Sequence, residues 1–373
     1  MKKRFIKLAL IANSILLIIV VSLFTSCCET QIQSEVVKPF KVTEKVKWDT
    51  DDPAIWINPN DPAQSLIIGT DKDSDGALYV FDLNGKIIEE KTVRNLKRPN
   101  NVDVEYGLIL NGVPVDIAVA TERETNMIRI FSLPDMNAID NGGIEVFAGE
   151  ELQAPMGISL YKRISDGAVF AIVGRKEGPS GSYLWQYLLE DDGTGNVKGT
   201  VVRKFGLYSG VKEIESIAVD DQLGYVYYSD EQYGVRKYLA DPDAPNANEE
   251  LGIIYTQDYL DDNEGISIYC VDEKTGYILV SDQSANRFRI YPREGKLAVI
   301  DPEDPDDNEP AEPHLHKLIK IVNVSTNNSD GSEATSIALG PNFPKGMFVA
   351  MSDDKTFQIY KWEDIAGKEL LSK

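Results

Sequence analysis

The chain has 373 residues, 42% of them hydrophobic, and its 60 Asp and Glu outweigh 38 Lys and Arg to leave a formal charge of −22. This much apolar material excludes a disordered acidic tail, and the acidic excess would repel a phosphate backbone, so no nucleic-acid partner is expected. The two histidines, His314 and His316, both sit in the acidic run DPEDPDDNEPAEPHLH, which argues against a histidine nucleophile or a His-activated serine.

In chain order the first element is an address. Lys2, Lys3, Arg4 and Lys7 precede an apolar stretch from Leu8 to Phe24, and small residues then lead to Cys27, the pattern of an export signal. Leu23-Phe24-Thr25-Ser26-Cys27 resembles a bacterial lipoprotein cleavage site. Residues 1–26 are therefore expected to be removed as a signal peptide, with a lipid on Cys27 anchoring the protein outside the cytoplasm, in the periplasm or at the cell surface. The alternative is an uncleaved anchor, although the apolar stretch is shorter than the roughly 20 residues that span a bilayer. Removal takes four basic residues and no acids, which brings the charge to −26. Residues 27–40 are polar and unpatterned, a tether. Cys28 lies in it and Cys270 lies in an apolar run, so no disulfide framework is expected.

From Asp52 onward, short runs rich in Val, Ile, Tyr and Phe alternate with turn clusters such as DSDG, DLNG, DNGG, DDGTG and DEKTG. Six runs align as the starts of a repeated unit: DPAIWI at Asp52, NVDVEY at Asn101, MGISLY at Met156, ESIAVD at Glu215, EGISIY at Glu264 and EATSIALG at Glu333, spaced by 49, 55, 59, 49 and 69 residues. Second runs follow (LIIGTDK, DIAVATER, FAIVGRK, YVYYSDE, YILVSDQ, MFVAMSDD), then third runs (ALYVFDL, MIRIFSL, YLWQYLL, GVRKYLA, RFRIYPR, FQIYKWE). Six units of three or four antiparallel strands predict an all-β fold, a six-bladed β-propeller over residues 41–373 that closes as one ring. The final WEDIAGKELL is at best one short helix, and the acidic run is predicted to be a solvated loop between blades five and six.

The start of each first strand and the end of each second strand share one end of an antiparallel blade, so these positions gather around one mouth of the central channel. They are Asp51, Asp52, Asn100, Asn101, Glu215, Asp262, Glu264, Asp330 and Glu333 from the starts. The ends contribute Asp71, Lys72, Glu122, Arg123, Arg175, Lys176, Asp230, Glu231, Asp282, Gln283, Asp353 and Asp354. Strand ends are often polar, but carboxylates converging from at least four blades repel one another unless cations lie between them. Hard oxygen donors without a Cys/His set point to several Ca²⁺ ions. Lys72, Arg123 and Lys176 occupy matching positions in three successive blades. Three cations beside a metal-rich carboxylate ring describe a receptor for a polyanion, most simply phosphate groups.

The segments DDPAIWINPNDPAQSLIIGTDK, NNVDVEY from Asn100, GRKEG around Lys176, the pair Glu215 and Glu231, DNEG from Asp262 with Gln283 after it, and SDG…LGPNFPKGMFVA resemble the bacterial β-propeller phytases over residues 42–366. The resemblance implies a calcium-dependent phosphomonoesterase acting on phytate, myo-inositol hexakisphosphate, through two neighbouring phosphate subsites. It makes Lys72, Arg123 and Lys176 phosphate ligands and Asn100 a further substrate contact. Next to Asp51, it makes Asp52, the backbone oxygens of Pro53 and Val102, Glu215, Glu231, Asp262, Glu264, Gln283 and Asp330 the calcium set. Two departures stand out: Asp73 follows Lys72 where the family often has a second lysine, and Met156 replaces a tyrosine near the metals.

No Cys-x5-Arg arrangement surrounds Cys270 and no Arg-His-Gly element occurs, so a covalent phospho-enzyme lacks its nucleophile. The expected reaction is direct attack by a calcium-bound water on a phosphate held by Lys72, Arg123 and Lys176, with Glu231 or Asp330 orienting that water. A six-bladed ring also suits a calcium-dependent lactonase or esterase, or a non-catalytic ligand-binding module. The three basic residues favour the phosphatase, because a lactonase has no use for them. A monomer is expected.

Overall fold

Each of the six units folds as an antiparallel sheet, because its β-branched and aromatic runs are too short for helices and are punctuated by residues that reverse the chain. The computed structural model describes residues 35–300 and 304–373; the expected signal peptide, Cys27 and Cys28 lie outside them. Blade one is Thr50–Trp56, Leu66–Asp71, Gly76–Phe81 and Val93–Leu96. Blade two is Pro99–Leu110, Val113–Glu122, Met127–Ser132 and Ile144–Glu145, with Asn137–Ala138 also paired to its third strand. Blade three is Pro155–Lys162, Val169–Arg175, Leu184–Asp191 and Val197–Phe205. Blade four is Ile214–Asp220, Tyr225–Asp230, Gly234–Leu239 and Gly252–Tyr255. Blade five is Asn263–Cys270, Gly276–Asp282, Arg287–Pro292 and Lys320–Asn323. Blade six takes Ser332–Thr335, Met347–Ser352 and Thr356–Lys361 from the end of the chain and Lys41–Val42 from its start.

First strands touch in cyclic order, the sixth against the first, so the sheets close a ring. The closure joins the two ends of the chain: Lys41 pairs with Ile359 and Val42 with Gln358. The residues just before also take part. Val37 donates its N–H to Asn323 O at 2.9 Å, and Phe40 meets the Phe343 ring edge-on at 5.4 Å between centroids. Both blade faces are buried, which is why the strands read as nearly unbroken apolar runs rather than alternating ones. The seam between blades one and two holds Ala54, Ile68, Leu78, Ala118 and Phe131, and the seam between blades two and three holds Ile117, Val119, Ile158, Leu160 and Trp185. The short C-terminal helix Trp362–Ala366 caps the seam between blades five and six, with Trp362 stacked on Tyr269 at 3.6 Å.

The acidic run does not link blades five and six. It is an excursion inside blade five, between the third strand ending at Pro292 and the fourth beginning at Lys320. Its prolines and charge mask that topology, because they remove the periodicity that would mark flanking strands. Its far end is docked rather than solvated: His316 is buried, gives its Nδ1 proton to Pro292 O at 2.7 Å and accepts from Lys237 Nζ at 3.2 Å. Lys237 also donates to Pro313 O at 2.8 Å. Burial lowers the His316 imidazole to about 4, so it stays neutral at pH 7. Replacing both histidines by alanine should leave turnover within a factor of a few but cost about 1–3 kcal/mol of stability, because Lys237 loses a buried acceptor. Parallel turnover and thermal-denaturation measurements check this; a collapse of turnover at unchanged stability would put the loop in the site.

Candidate active site at the channel mouth

Two backbone devices recur around the ring and aim the site residues. In blades one to five the first strand carries a one-residue bulge at the mouth, between Thr50 and Pro53, Pro99 and Val102, Pro155 and Ile158, Ile214 and Ile217, and Asn263 and Ile266. A bulge breaks the alternation of the strand and re-aims its side chains. The first bulged residues are Asp51, Asn100, Met156, Glu215 and Glu264. Neighbouring bulges approach so closely that a Cβ on Gly157 would strike Glu215 O, and one on Gly331 would strike the backbone and carboxylate of Asp51 and Asp52.

The second device is a hydrogen bond just past each second strand. The backbone N–H groups of Lys72, Arg123, Lys176, Glu231, Gln283 and Asp353 donate to the carbonyls of Asp49, Arg98, Ala154, Glu213, Asp262 and Asn327 at 2.7–3.2 Å. This fixes one side chain per blade at the mouth. The residue before each is spent on the scaffold: Asp71 Oδ1 accepts from the Trp48 and Asp49 amides, Glu122 from Lys97, Asp230 from Ser209 and Asp282 from Leu260, while Arg175 donates to Leu152 O and Ser182 O. Ten of the twelve polar second-strand ends of the sequence reading thus separate by position into scaffold and mouth; in blade six the pair is shifted by one, with Ser352 Oγ accepting from the Asn327 amide at 3.1 Å, Asp353 in the mouth position and Asp354 one residue beyond it.

The mouth residues form a connected set. Lys72 pairs with Asp51 and lies 3.6 Å from Asp330 Oδ2. Asn100 Nδ2 donates to Asp51 Oδ2 at 3.0 Å and to Glu215 Oε1 at 2.7 Å, and Gln283 donates to Asp330. Both Asp51 oxygens are therefore occupied by protein donors. Lys176 pairs with Glu213 at 2.7 Å. The Arg123 guanidinium reaches the sulfur of Met156, and its Nε has no partner. Two carboxylate groups sit beside these cations, Glu213 with Glu215 and Glu231, and Glu231 with Asp262 and Glu264. Lys212 Nζ touches the second group, 2.7 Å from Glu231 and 2.6 Å from Asp262.

Asp52, Pro53 and Val102 lie elsewhere, in the wall of the channel proper, a cavity of about 350 Å³ that they share with Asp103 and Glu333. The expected calcium set is thus divided between the mouth and the channel. Asp52 accepts there from the Val102 amide at 3.1 Å. Glu213 and Lys212 escaped the sequence reading. Glu213 stands two residues before Glu215, a spacing that puts both on one side of an extended chain, but Lys212 belongs to a connecting segment with no pattern. Asp73, where the resemblance implies a second lysine, accepts from the Asp75 amide at 3.0 Å and shapes its own turn.

Burial raises the carboxyls: Asp51 and Glu215 to about 7, Glu231 to about 8, Asp330 to about 6, and Glu264 and Asp52 well above the usual range. After burial the largest effect is Lys72 for Asp51 and Asp330, which it pulls down, and the Asp51 charge for Glu215, which it pushes up. Burial would lower the Lys72 ammonium, but Asp51, Glu215 and Asp330 outweigh it and hold the charge firmly in place. Glu231 Oε1, Glu264 Oε2 and Asn100 Oδ1 are buried without a hydrogen-bond donor. Buried carboxyl and amide oxygens without a donor are costly alone, and an all-oxygen set of this kind fits a hard divalent cation.

The family model described as Phytase matches residues 4–371. Among curated proteins, the 3-phytase of Bacillus subtilis (strain 168) is 29% identical over 384 residues, covering 95% of this chain and 93% of that protein. Among solved structures, the WD40 β-propeller domain of Doa1 aligns with a TM-score of 0.46 at 11% identity, covering 82% of this chain and 77% of that one.

Proposed function

This chain belongs to the phytase family, and on that premise we propose that Ca²⁺ in its channel mouth works with Lys72, Arg123 and Lys176 to hydrolyse phytate. The protein is a phosphoric monoester hydrolase that releases phosphate from phytate. The observation that carries the calcium reading is the pair of overlapping carboxylate groups with donor-free buried oxygens, rimmed by cations from three successive blades.

Glu215, Glu231, Asp262 and Glu264 would hold Ca²⁺ at the mouth, and Asp52 with the carbonyls of Pro53 and Val102 in the channel. Bound there, Ca²⁺ supplies charge that offsets phosphate oxygens and makes a water more acidic. The chain's own groups do the rest. Lys72 presents an ammonium kept charged by Asp51, and Arg123 presents a guanidinium with no ion-pair partner among the described residues, so both suit the uptake of phosphate oxygens. Lys176, nearly half exposed, reaches the rim. Asn100 ties the Asp51 and Glu215 carboxylates together and keeps Lys72 in register with the cradle. Glu231 and Asp330 would orient the attacking water, Asp330 through a carboxylate that accepts from Gln283 and lies 3.6 Å from Lys72.

A site complete within one ring supports action as a monomer, and the basic and apolar N-terminus with Cys27 supports a lipid-anchored, extracytoplasmic protein. The test is phosphate release from phytate by residues 35–373, which keep the Val37 and Phe40 contacts, with Ca²⁺ and with chelator. Calcium-dependent phosphate release is expected; calcium-dependent hydrolysis of lactones or esters with no phosphate released would favour the lactonase reading.

A further inference from the structure

Lys212 lies where a mouth cation would lie. Its ammonium contacts Glu231 Oε2 at 2.7 Å and Asp262 Oδ2 at 2.6 Å, two of the three carboxylates of one group, and Glu231 is shared with the other group. It is the residue before Glu213, in the segment that enters blade four, so it reaches the cradle from the rim rather than from a strand. Its side chain is 37% exposed while Glu231 is fully buried. The cation can therefore leave at little desolvation cost, but the carboxylates it covers cannot. A place to go exists alongside: a cavity of about 630 Å³ lined by Lys212 itself, Arg175, Tyr208 and the acids Glu150, Glu151 and Glu177. Arg175 already pairs with Glu150 at 3.3 Å, so Glu151 and Glu177 would receive a displaced ammonium.

We propose that Lys212 is a tethered substitute for the divalent cation, which neutralises the Glu231–Asp262 cradle in the metal-free protein and swings into the acid-lined cavity when the metal enters. The idea rests on the calcium reading of the same cradle. Two consequences follow from competition for one set of oxygens. Lys212 weakens the apparent affinity for the metal, since each binding event must displace it, and it stabilises the metal-free fold by shielding buried carboxylates from each other.

The test is calorimetric titration of Ca²⁺ into chelator-stripped parent, Lys212→Met and Lys212→Arg proteins, with thermal denaturation of each in chelator and in saturating Ca²⁺. Lys212→Met should bind Ca²⁺ about tenfold more tightly and melt lower than the parent in chelator, with the two melting points converging in Ca²⁺. Lys212→Arg, which keeps the cation, should restore parental melting in chelator. Equal or weaker Ca²⁺ affinity in Lys212→Met, or an unchanged melting point in chelator, would overturn the proposal and leave the calcium cradle standing. No Ca²⁺ uptake by either the parent or Lys212→Met would overturn both.

Discussion

Stripping divalent cations from the protein should abolish phosphate release and make stability fall steeply with rising pH. The cause is the set of buried carboxyls at the mouth. Asp51, Glu215, Glu231 and Asp330 have folded pKa values of about 7, 7, 8 and 6, all above the ordinary value near 4 that they regain on unfolding. Between pH 4 and pH 8 the folded chain holds more protons than the unfolded one, so the stability these groups contribute is present at pH 4 and is lost as pH rises to 8. A loss of about 3–5 kcal/mol, the size of an uncompensated buried charge, corresponds to roughly 10 °C in Tm for a chain of this size. Added Ca²⁺ should flatten or reverse the trend, because it binds the deprotonated form and only in the folded state. Thermal melts from pH 5 to pH 8.5, with and without Ca²⁺, measure this. Chelated protein that is as stable at pH 8 as at pH 5 would mean that the carboxylates are satisfied without a metal.

Arg123→Ala and Lys72→Ala should each lower kcat/KM for phytate by about one to two powers of ten, since each removes a charge-assisted contact worth about 1.5–3 kcal/mol. They should differ in stability. Arg123 has no ion-pair partner among the described residues, only the Met156 sulfur and an unused Nε, so its variant should melt within a few degrees of the parent. Lys72 covers the buried Asp51. Its removal should also lower Tm, and the loss should be greatest at high pH, where Asp51 is ionised. Steady-state kinetics and melts on both variants separate the roles. Parental kcat/KM in both would reduce these cations to ordinary surface charge, whose pairs are worth under about 1 kcal/mol.

The ring was readable because its physics is repetitive. Buried second and third strands leave six nearly identical apolar runs, and turn clusters such as DLNG and DEKTG mark where they reverse. The rule that first-strand starts and second-strand ends share a mouth also found Lys72, Arg123, Lys176, Glu215, Glu231 and Glu264. What resisted reading has weak or non-local signals. Ile144–Glu145 and Lys41–Val42 are two-residue edge strands, too short for any period to register. Whether Asp71 or Lys72 faces the mouth depends on the bulge opposite and on the amide bond to Asp49, neither of which alternation reveals. Lys212 acquires its meaning only when the ring brings Asp262 of the next blade beside Glu231. The acidic excursion was misplaced for the opposite reason: its charge is a strong signal of exposure but carries no information on which strands it joins.

The central claim, that phosphate hydrolysis depends on Ca²⁺ held by the Glu215, Glu231, Asp262 and Glu264 cradle, is tested most directly by titrating Ca²⁺ into chelator-stripped protein and measuring occupancy and phosphate release from phytate at each point. Activity should rise in step with occupancy, and the double variant Glu231→Gln, Glu264→Gln should lose both together. Full phosphate release at zero occupancy, or a double variant that works like the parent, would contradict it.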